Sequence, residues 1–163
     1  MVKLNLGCGG RTLKGYKNID IEPREGVEVM DLREKLPFED KTVQKIFSSH
    51  FIEHIDYMKV GEVLKDWGRV LVPGGELEVW TPDFDRIVAE PRKKWKWVNW
   101  RLYARDDKKE GCIHRCVFNF GWMEKILKGD VFEKIERIPL KEFPFDCHQD
   151  CNMGIRAIKR MNK

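Results

Sequence analysis

The sequence lacks any run of about 20 apolar residues, the length a helix needs to cross a bilayer, so no membrane-spanning helix is expected. It begins Met1-Val2-Lys3-Leu4-Asn5-Leu6-Gly7, with no basic stretch leading into an apolar one. Nothing there suggests export, and a cytoplasmic location is expected. There is no internal repeat, no low-complexity tract and no linker, so a single domain over residues 1–163 is expected. A chain of that length buries a core without disulfide staples. Strong charge of one sign is missing too: 31 Lys+Arg against 27 Asp+Glu leaves a formal net of +4, compatible with an anionic partner without requiring one. The five cysteines are an odd number without an export signal, which points to reduced thiols.

What the chain does have is a globular balance, 42% hydrophobic and 36% charged, with both signs interspersed. The apolar run Val2 to Leu6 ends in Gly7-Cys8-Gly9-Gly10 and reads as a buried strand entering a glycine turn. Short strands follow at Tyr16 to Ile21, Val27 to Met30 and Val43 to Ser48. From Tyr57 to Leu71 the set Val60, Val63, Leu64, Trp67, Val70 and Leu71 has helical spacing, closed by Pro73-Gly74-Gly75. Leu77 to Thr81 reads as a strand and Phe120 to Leu127 as a helix. Val131 to Ile138 and Met153 to Ile158 read as a closing antiparallel hairpin. Strands joined by crossovers imply parallel pairing, so the expected fold class is α/β, three layers around a mostly parallel sheet.

A glycine turn after the first strand lets a ligand approach the backbone, and an acidic residue ending the second strand can receive two vicinal ribose hydroxyls. Here those parts are Gly7-Cys8-Gly9-Gly10 and Asp20, with Ile21 beside it. The dinucleotide fingerprint would place a third glycine at position 12, where Thr12 stands, and the interval to Asp20 leaves no room for a full helix. A pyrophosphate is therefore poorly served.

Further segments appear in order: Asn18-Ile19-Asp20-Ile21, Asp31-Leu32, Ser48-Ser49-His50-Phe51-Ile52-Glu53-His54-Ile55 and Arg69-Val70-Leu71-Val72-Pro73-Gly74-Gly75. Together with Asn5-Leu6-Gly7-Cys8-Gly9-Gly10 the series resembles the class I S-adenosylmethionine-dependent methyltransferases, in particular the small type 11-like group. The likeness covers residues 2 to 82 strongly and 114 to 160 loosely. It implies a Rossmann-like methyltransferase fold, with S-adenosyl-L-methionine as cofactor. By position, Gly7 and Gly9 would lie under its methionine part, next to Asn5 and Cys8. Asp20 would hold the ribose hydroxyls, Asp31 with the backbone of Leu32 the adenine amino group, and Ser48 and Ser49 would border the amino acid moiety. Two departures stand out: Asn5 occupies a position that is often acidic, and the helix after the glycine motif is missing or very short.

Methyl transfer from a sulfonium is an in-line displacement, and alignment alone supplies roughly 7–11 kcal/mol. An oxygen acceptor usually also needs a base near the methyl group. In a doubly wound sheet the crevice lies at the carboxyl ends of the strands, which selects His50 and His54, then Asp83 and Asp85, then His114 and His148. His50, His148 and Asp83 are the catalytic candidates. No metal ligand is assigned, although Cys112-x-His114-x-Cys116 and Cys147-His148-x-x-Cys151 fall on one rim. Their spacing is not that of common zinc knuckles, and zinc, a disulfide and free thiols all remain open.

Residues 91 to 111 mix Arg92, Lys93, Lys94, Lys96, Arg101, Arg105, Lys108 and Lys109 with Trp95, Trp97, Trp100 and Tyr103. Within a lid and acceptor segment at about 83–118, this suits a sugar or a small-molecule acceptor methylated on oxygen; it also suits RNA, through base stacking and phosphate contacts. Against both stands a plain amphipathic helix that packs Trp95, Val98 and Leu102 on the core. A cofactor-binding scaffold without chemistry is the reading outside enzymology. Composition leaves the oligomeric state open.

Overall fold

The computed structural model of the chain describes residues 1–89, 94–103, 113–145 and 151–161. The candidate His148, together with Cys112 and Cys147, lies outside the described residues, as does part of the basic segment.

Short β-branched and apolar runs form seven strands: β1 Val2–Leu6, β2 Lys17–Asp20, β3 Glu28–Val29, β4 Val43–Ser49, β5 Leu71–Pro82, β6 Phe132–Ile138 and β7 Asn152–Lys159. The helices are α1 Val60–Val70, α2 Phe84–Ala89, α3 Trp95–Tyr103 and α4 Phe120–Leu127. One sheet runs in the order β3-β2-β1-β4-β5-β7-β6. The first five strands are parallel, and β7 is antiparallel to both β5 and β6. The mixed α/β sheet with its closing hairpin is the one the sequence led us to expect. No helix among the described residues is long and apolar enough to cross a membrane.

Side chains alternate across a strand, and the two faces of this sheet diverge sharply. Leu4, Leu6, Ile19, Ile46, Leu77, Val79, Ile155 and Ala157 face one way, into a single core with Val60, Leu64 and Trp67 of α1 and Met123 and Leu127 of α4. Each such side chain contributes roughly 1.5–3 kcal/mol by leaving water. On the opposite face, Lys45 pairs with Glu76 and Glu78, both at 2.7 Å, and Arg156 with Glu136 at 3.1 Å. Nearer the carboxyl ends that face carries Phe47, Trp80, Ile138 and Phe143, covered by Leu13, Tyr16, Leu140 and Phe145. Among the described residues this layer holds no α-helix. The connection from β1 to β2 holds none, as its length implied, and the turn at 13–16 with the short 3-10 turn and loop of 140–145 fill the place.

The boundary of β5 differs from the sequence reading, which begins the strand at Leu77. Val43 pairs with Leu71 and Lys45 with Glu76, so the extra residues of β5 are accommodated in a bulge, with Gly74 at φ +73°. Pro73-Gly74-Gly75 interrupts the ladder without ending it. Arg69 at the end of α1 stands in for another missing helix. Its guanidinium donates to the carbonyls of Leu36 and Phe38 and pairs with Asp40 and Asp66, which fastens the connection leading to β4.

Candidate cofactor and acceptor site

The glycine loop leaves β1 by a turn in which the N–H groups of Gly7 and Cys8 both donate to the carbonyl of Ile19, at 2.9 and 3.1 Å. Gly7 has φ +70°, and a Cβ there would lie 2.5 Å from the Phe51 side chain, so glycine is required twice over. Gly9 has φ +52°, but a Cβ on it would meet nothing within 4 Å. Its N–H donates to Asp20 Oδ2 at 2.7 Å, and Asp20 Oδ1 accepts from the Glu22 N–H at 3.0 Å. Asn5 is buried at 1% exposure and acts as a strut: its amide donates to Arg11 O at 2.9 Å and to Asn18 Oδ1 at 2.8 Å. An acidic residue at that position could make neither bond.

A cleft of about 160 Å³ opens here, lined by Asn5, Gly7, Cys8, Arg11, Phe47, Ser49 and Phe145. The buried Ser49 hydroxyl has no hydrogen-bond partner, an unmet demand that a ligand group can satisfy. Burial, and then the Asp20 charge, pushes the Cys8 thiol up to about 11. The other expected positions are less alike. Ser48 is fully buried and donates to Leu6 O at 2.9 Å, so its hydroxyl is committed to the sheet. Leu32 is part of the main core, while Ile21 is 55% exposed next to Asp20. The Arg33 guanidinium grips Asp31 at 2.6 and 2.8 Å and lowers its carboxyl.

Farther along the rim, His50 follows the last residue of β4 with φ +55°, a left-handed conformation that costs a non-glycine residue about 1–2 kcal/mol. Its Nδ1 lies 3.0 Å from Glu53 Oε1, and its Nε2 lies 3.1 Å from the Asn152 amide nitrogen. An amide NH₂ only donates, so Nε2 carries the lone pair and Nδ1 the hydrogen, which it gives to Glu53. Asn152 Oδ1 in turn accepts from Arg101 at 3.2 Å. The order Arg101, Asn152, His50, Glu53 is a continuous hydrogen-bonded chain.

Glu53 is 1% exposed, and its second oxygen accepts from the Thr81 hydroxyl at 3.1 Å. Burial would raise its carboxyl; the His50 hydrogen bond, and then the His50, His54 and His114 imidazoles, hold it at about 2 instead. His114 Nε2 stands 4.0 Å from Glu53 Oε1, and burial pushes this imidazole down. The His54 and His114 rings meet edge to face at 5.0 Å. Beside them a cavity of about 200 Å³ is lined by Thr81, Phe84, Ile87, Arg101, Cys116 and Val117 among others. Glu53 and Asn152 received no role from the sequence. The visible signal was Glu53 between Ile52 and Ile55, a carboxylate inside an apolar turn; Asn152 gave none.

Asp83 is also 1% exposed, but its carboxylate faces Arg137 at 3.1 Å and Arg86 at 3.4 Å, away from the histidines' hydrogen bonds. Among the described cysteines, Cys8 and Cys116 are free thiols. The Cys116 thiol is pushed up to about 12 by burial and then by Glu53. The helix α3 does not follow the amphipathic expectation for Trp95, which is 70% exposed, while Arg101 is the buried residue of that helix. Trp100 and Tyr103 are also largely exposed.

Residues 16–79 match the family model described as a methyltransferase domain. No curated protein matches the chain. Solved structures give the fold. An S-adenosylmethionine-dependent methyltransferase from Methanosarcina mazei aligns at a TM-score of 0.63 and 16% identity, over 99% of this chain and 92% of that one. Another from Archaeoglobus fulgidus aligns at 0.65 and 16%, over 96% and 85%. The methyltransferase found with the Trm112 activator in Haloferax volcanii aligns at 0.64 and 14%, over 99% and 83%. The matched residues and the sheet around them make the chain similar to the S-adenosylmethionine-dependent methyltransferases: it has their class I fold and a segment like the type 11 methyltransferase domain, a likeness that indicates S-adenosylmethionine as cofactor.

The residues present fit that cofactor on three points: a glycine without a side chain lining the cleft, a buried serine hydroxyl in want of a partner, and a carboxylate at the end of β2. When bound, the cofactor supplies the activated methyl group.

Proposed function

We propose that the chain methylates an oxygen of a small molecule or a carbohydrate. Gly7, Gly9, Asn5, Cys8 and Ser49 hold the methionine part of the cofactor, Asp20 with Ile21 the ribose, and Asp31 with Leu32 the adenine. Ser48 supports Ser49 from inside the sheet. The observation that carries this reading is the cleft between the glycine loop and Ser49, with its unpartnered hydroxyl a single residue before His50. His50 Nε2, an acceptor by its tautomer, receives the hydrogen bond of the acceptor hydroxyl in exchange for Asn152 and so points the oxygen lone pair at the methyl. Catalysis is then mostly alignment. The described parts of 83–118 lie on the acceptor side, with Asp83 paired to Arg137, and His148 is the second candidate base.

Calorimetric titration with S-adenosylhomocysteine tests the cofactor half. We expect saturable binding, weakened about 10–100-fold in Asp20→Ala by loss of hydrogen bonds to a charged group. No binding at millimolar ligand, or an unchanged affinity in the variant, overturns the assignment. The exposed Trp95, Trp100 and Tyr103, with the Lys96 ammonium 5.8 Å from the Trp95 ring centre, favour a second reading, an RNA acceptor. Retention on heparin with a steep salt dependence would support RNA over a neutral sugar.

A further inference from the structure

Three groups with metal-ligating chemistry converge where the cofactor assignment uses none of them. One ligand atom each from Glu53, His54 and His114 lie within 4.8 Å of one another. Glu53 and His54 are adjacent in the turn after β4, while His114 arrives from the far side of α3, some 60 residues later. Two further observations separate this cluster from a fortuitous meeting of surface residues. The first is tautomeric. His54 Nδ1 lies 3.1 Å from the Ile113 carbonyl, and His114 Nδ1 lies 3.1 Å from the Arg101 carbonyl. A carbonyl only accepts, so both rings carry their hydrogen on Nδ1 and keep a lone pair on Nε2. Imidazoles that bind metal are oriented in this way, with the far nitrogen donating to a backbone carbonyl or carboxylate.

The second is the burial of the carboxylate. Glu53 is 1% exposed, and among the described residues no lysine or arginine pairs with it. A buried charge normally has a counter-ion or a metal. Its oxygens are nevertheless steered, one by His50 and the other by Thr81, as the carboxylate of a metal site is steered by its neighbours.

We propose that Glu53, His54 and His114 form a binding site for one first-row divalent metal ion of the zinc, cobalt or manganese kind, with open coordination positions facing the cavity of Phe84, Ile87, Arg101 and Val117. Two imidazoles with one carboxylate suit such an ion better than magnesium or calcium, which prefer oxygen alone. Ligand distances of about 2.0–2.2 Å ask the three side chains to close by about 1 Å each from their present separation, within reach of small rotamer changes. Three protein ligands leave room for a further oxygen, the arrangement of a site that works on a substrate. Resting on the methyl-transfer reading, that oxygen is the acceptor hydroxyl, whose proton the ion would make easier to lose. The site is distinct in its ligands from the cysteine clusters of the sequence, sharing only His114 with them.

The test uses the full chain after treatment with a chelator, titrated with cobalt(II) and read by visible absorption. One equivalent is expected, displaced by zinc, with d–d bands and without thiolate charge transfer in the near ultraviolet. His54→Ala and His114→Ala are each expected to weaken cobalt binding at least about tenfold, the lower end of what even indirect changes cost such sites. Because His54 is partly exposed, its variant keeps the test alive if the His114 variant does not fold. Asp20→Ala leaves cobalt affinity unchanged. Binding that survives both histidine variants, thiolate bands that place the ion on cysteines, or no saturation below millimolar cobalt overturns the proposal. Failure of the cofactor reading shows in the separate S-adenosylhomocysteine titration.

Discussion

The two ends of the sheet's carboxyl rim are built from different materials. At β1 and β2 the site is made of backbone: positive φ angles, N–H groups and the room that a missing side chain leaves. At β4, β5 and β7 it is made of buried polar side chains that hold one another, from Arg101 through Asn152 and His50 to Glu53. A backbone site is specified by a few neighbouring residues and tolerates almost anything a few residues away. A side-chain network is specified by residues scattered over the chain, and each loss leaves a buried group unsatisfied.

Gly7→Ala presses hardest on this contrast. A Cβ 2.5 Å from Phe51 at φ +70° combines overpacking with backbone strain, together about 2–5 kcal/mol. We expect the melting temperature to fall by about 10 °C, read by calorimetry, on the scale of a few degrees per kcal/mol for this size. A variant that melts like the parent would mean that the loop is not held as described. Asn152→Ala comes next: it strips His50 Nε2 of its donor and Arg101 of its acceptor, a cost of about 1–3 kcal/mol. Nitrogen NMR of ¹⁵N-histidine protein is expected to show His50 as the Nδ1–H form in both, held by Glu53, with the Nε2 resonance shifted in the variant by loss of its donor. Identical spectra would break the chain at that link. Gly9→Ala is the mildest, because nothing lies within 4 Å and only the φ of +52° is penalised, about 1 kcal/mol. If it equals Gly7→Ala in effect, the distinction between room and conformation at the two glycines is lost.

The same contrast decides what could be read in advance. The apolar runs and their turns located every strand of the sheet, and the short interval from Gly9 to Asp20 announced that no helix would follow β1. Local chemistry also exposed the glycine loop and Asp20, since close neighbours in sequence are close in space there. Ser48 and Ser49 show the limit: both end the same strand, but alternation sends one hydroxyl to Leu6 and leaves the other in the cleft. Trp95 went the other way from its helical spacing because Arg101 took the buried side, drawn by Asn152. The Glu53 cluster was legible only in part: the strand ends put His54 and His114 on one rim, but Glu53 joins them only because the segment ahead of α4 meets the turn after β4.

The position of β7 has a consequence for how the protein is made. It is the last strand in sequence, but it lies inside the sheet, paired with β5 on one side and β6 on the other. Asn152, its first residue, touches His50 across 102 positions of sequence. A chain emerging from the ribosome can shape its glycine loop early, whereas the contact between Asn152 and His50 must wait for the seventh strand to be synthesised and threaded into place. Pairings over such separations are slow to form, so the two ends of the rim are completed at different times, the backbone-built end first and the side-chain network from Arg101 to Glu53 last.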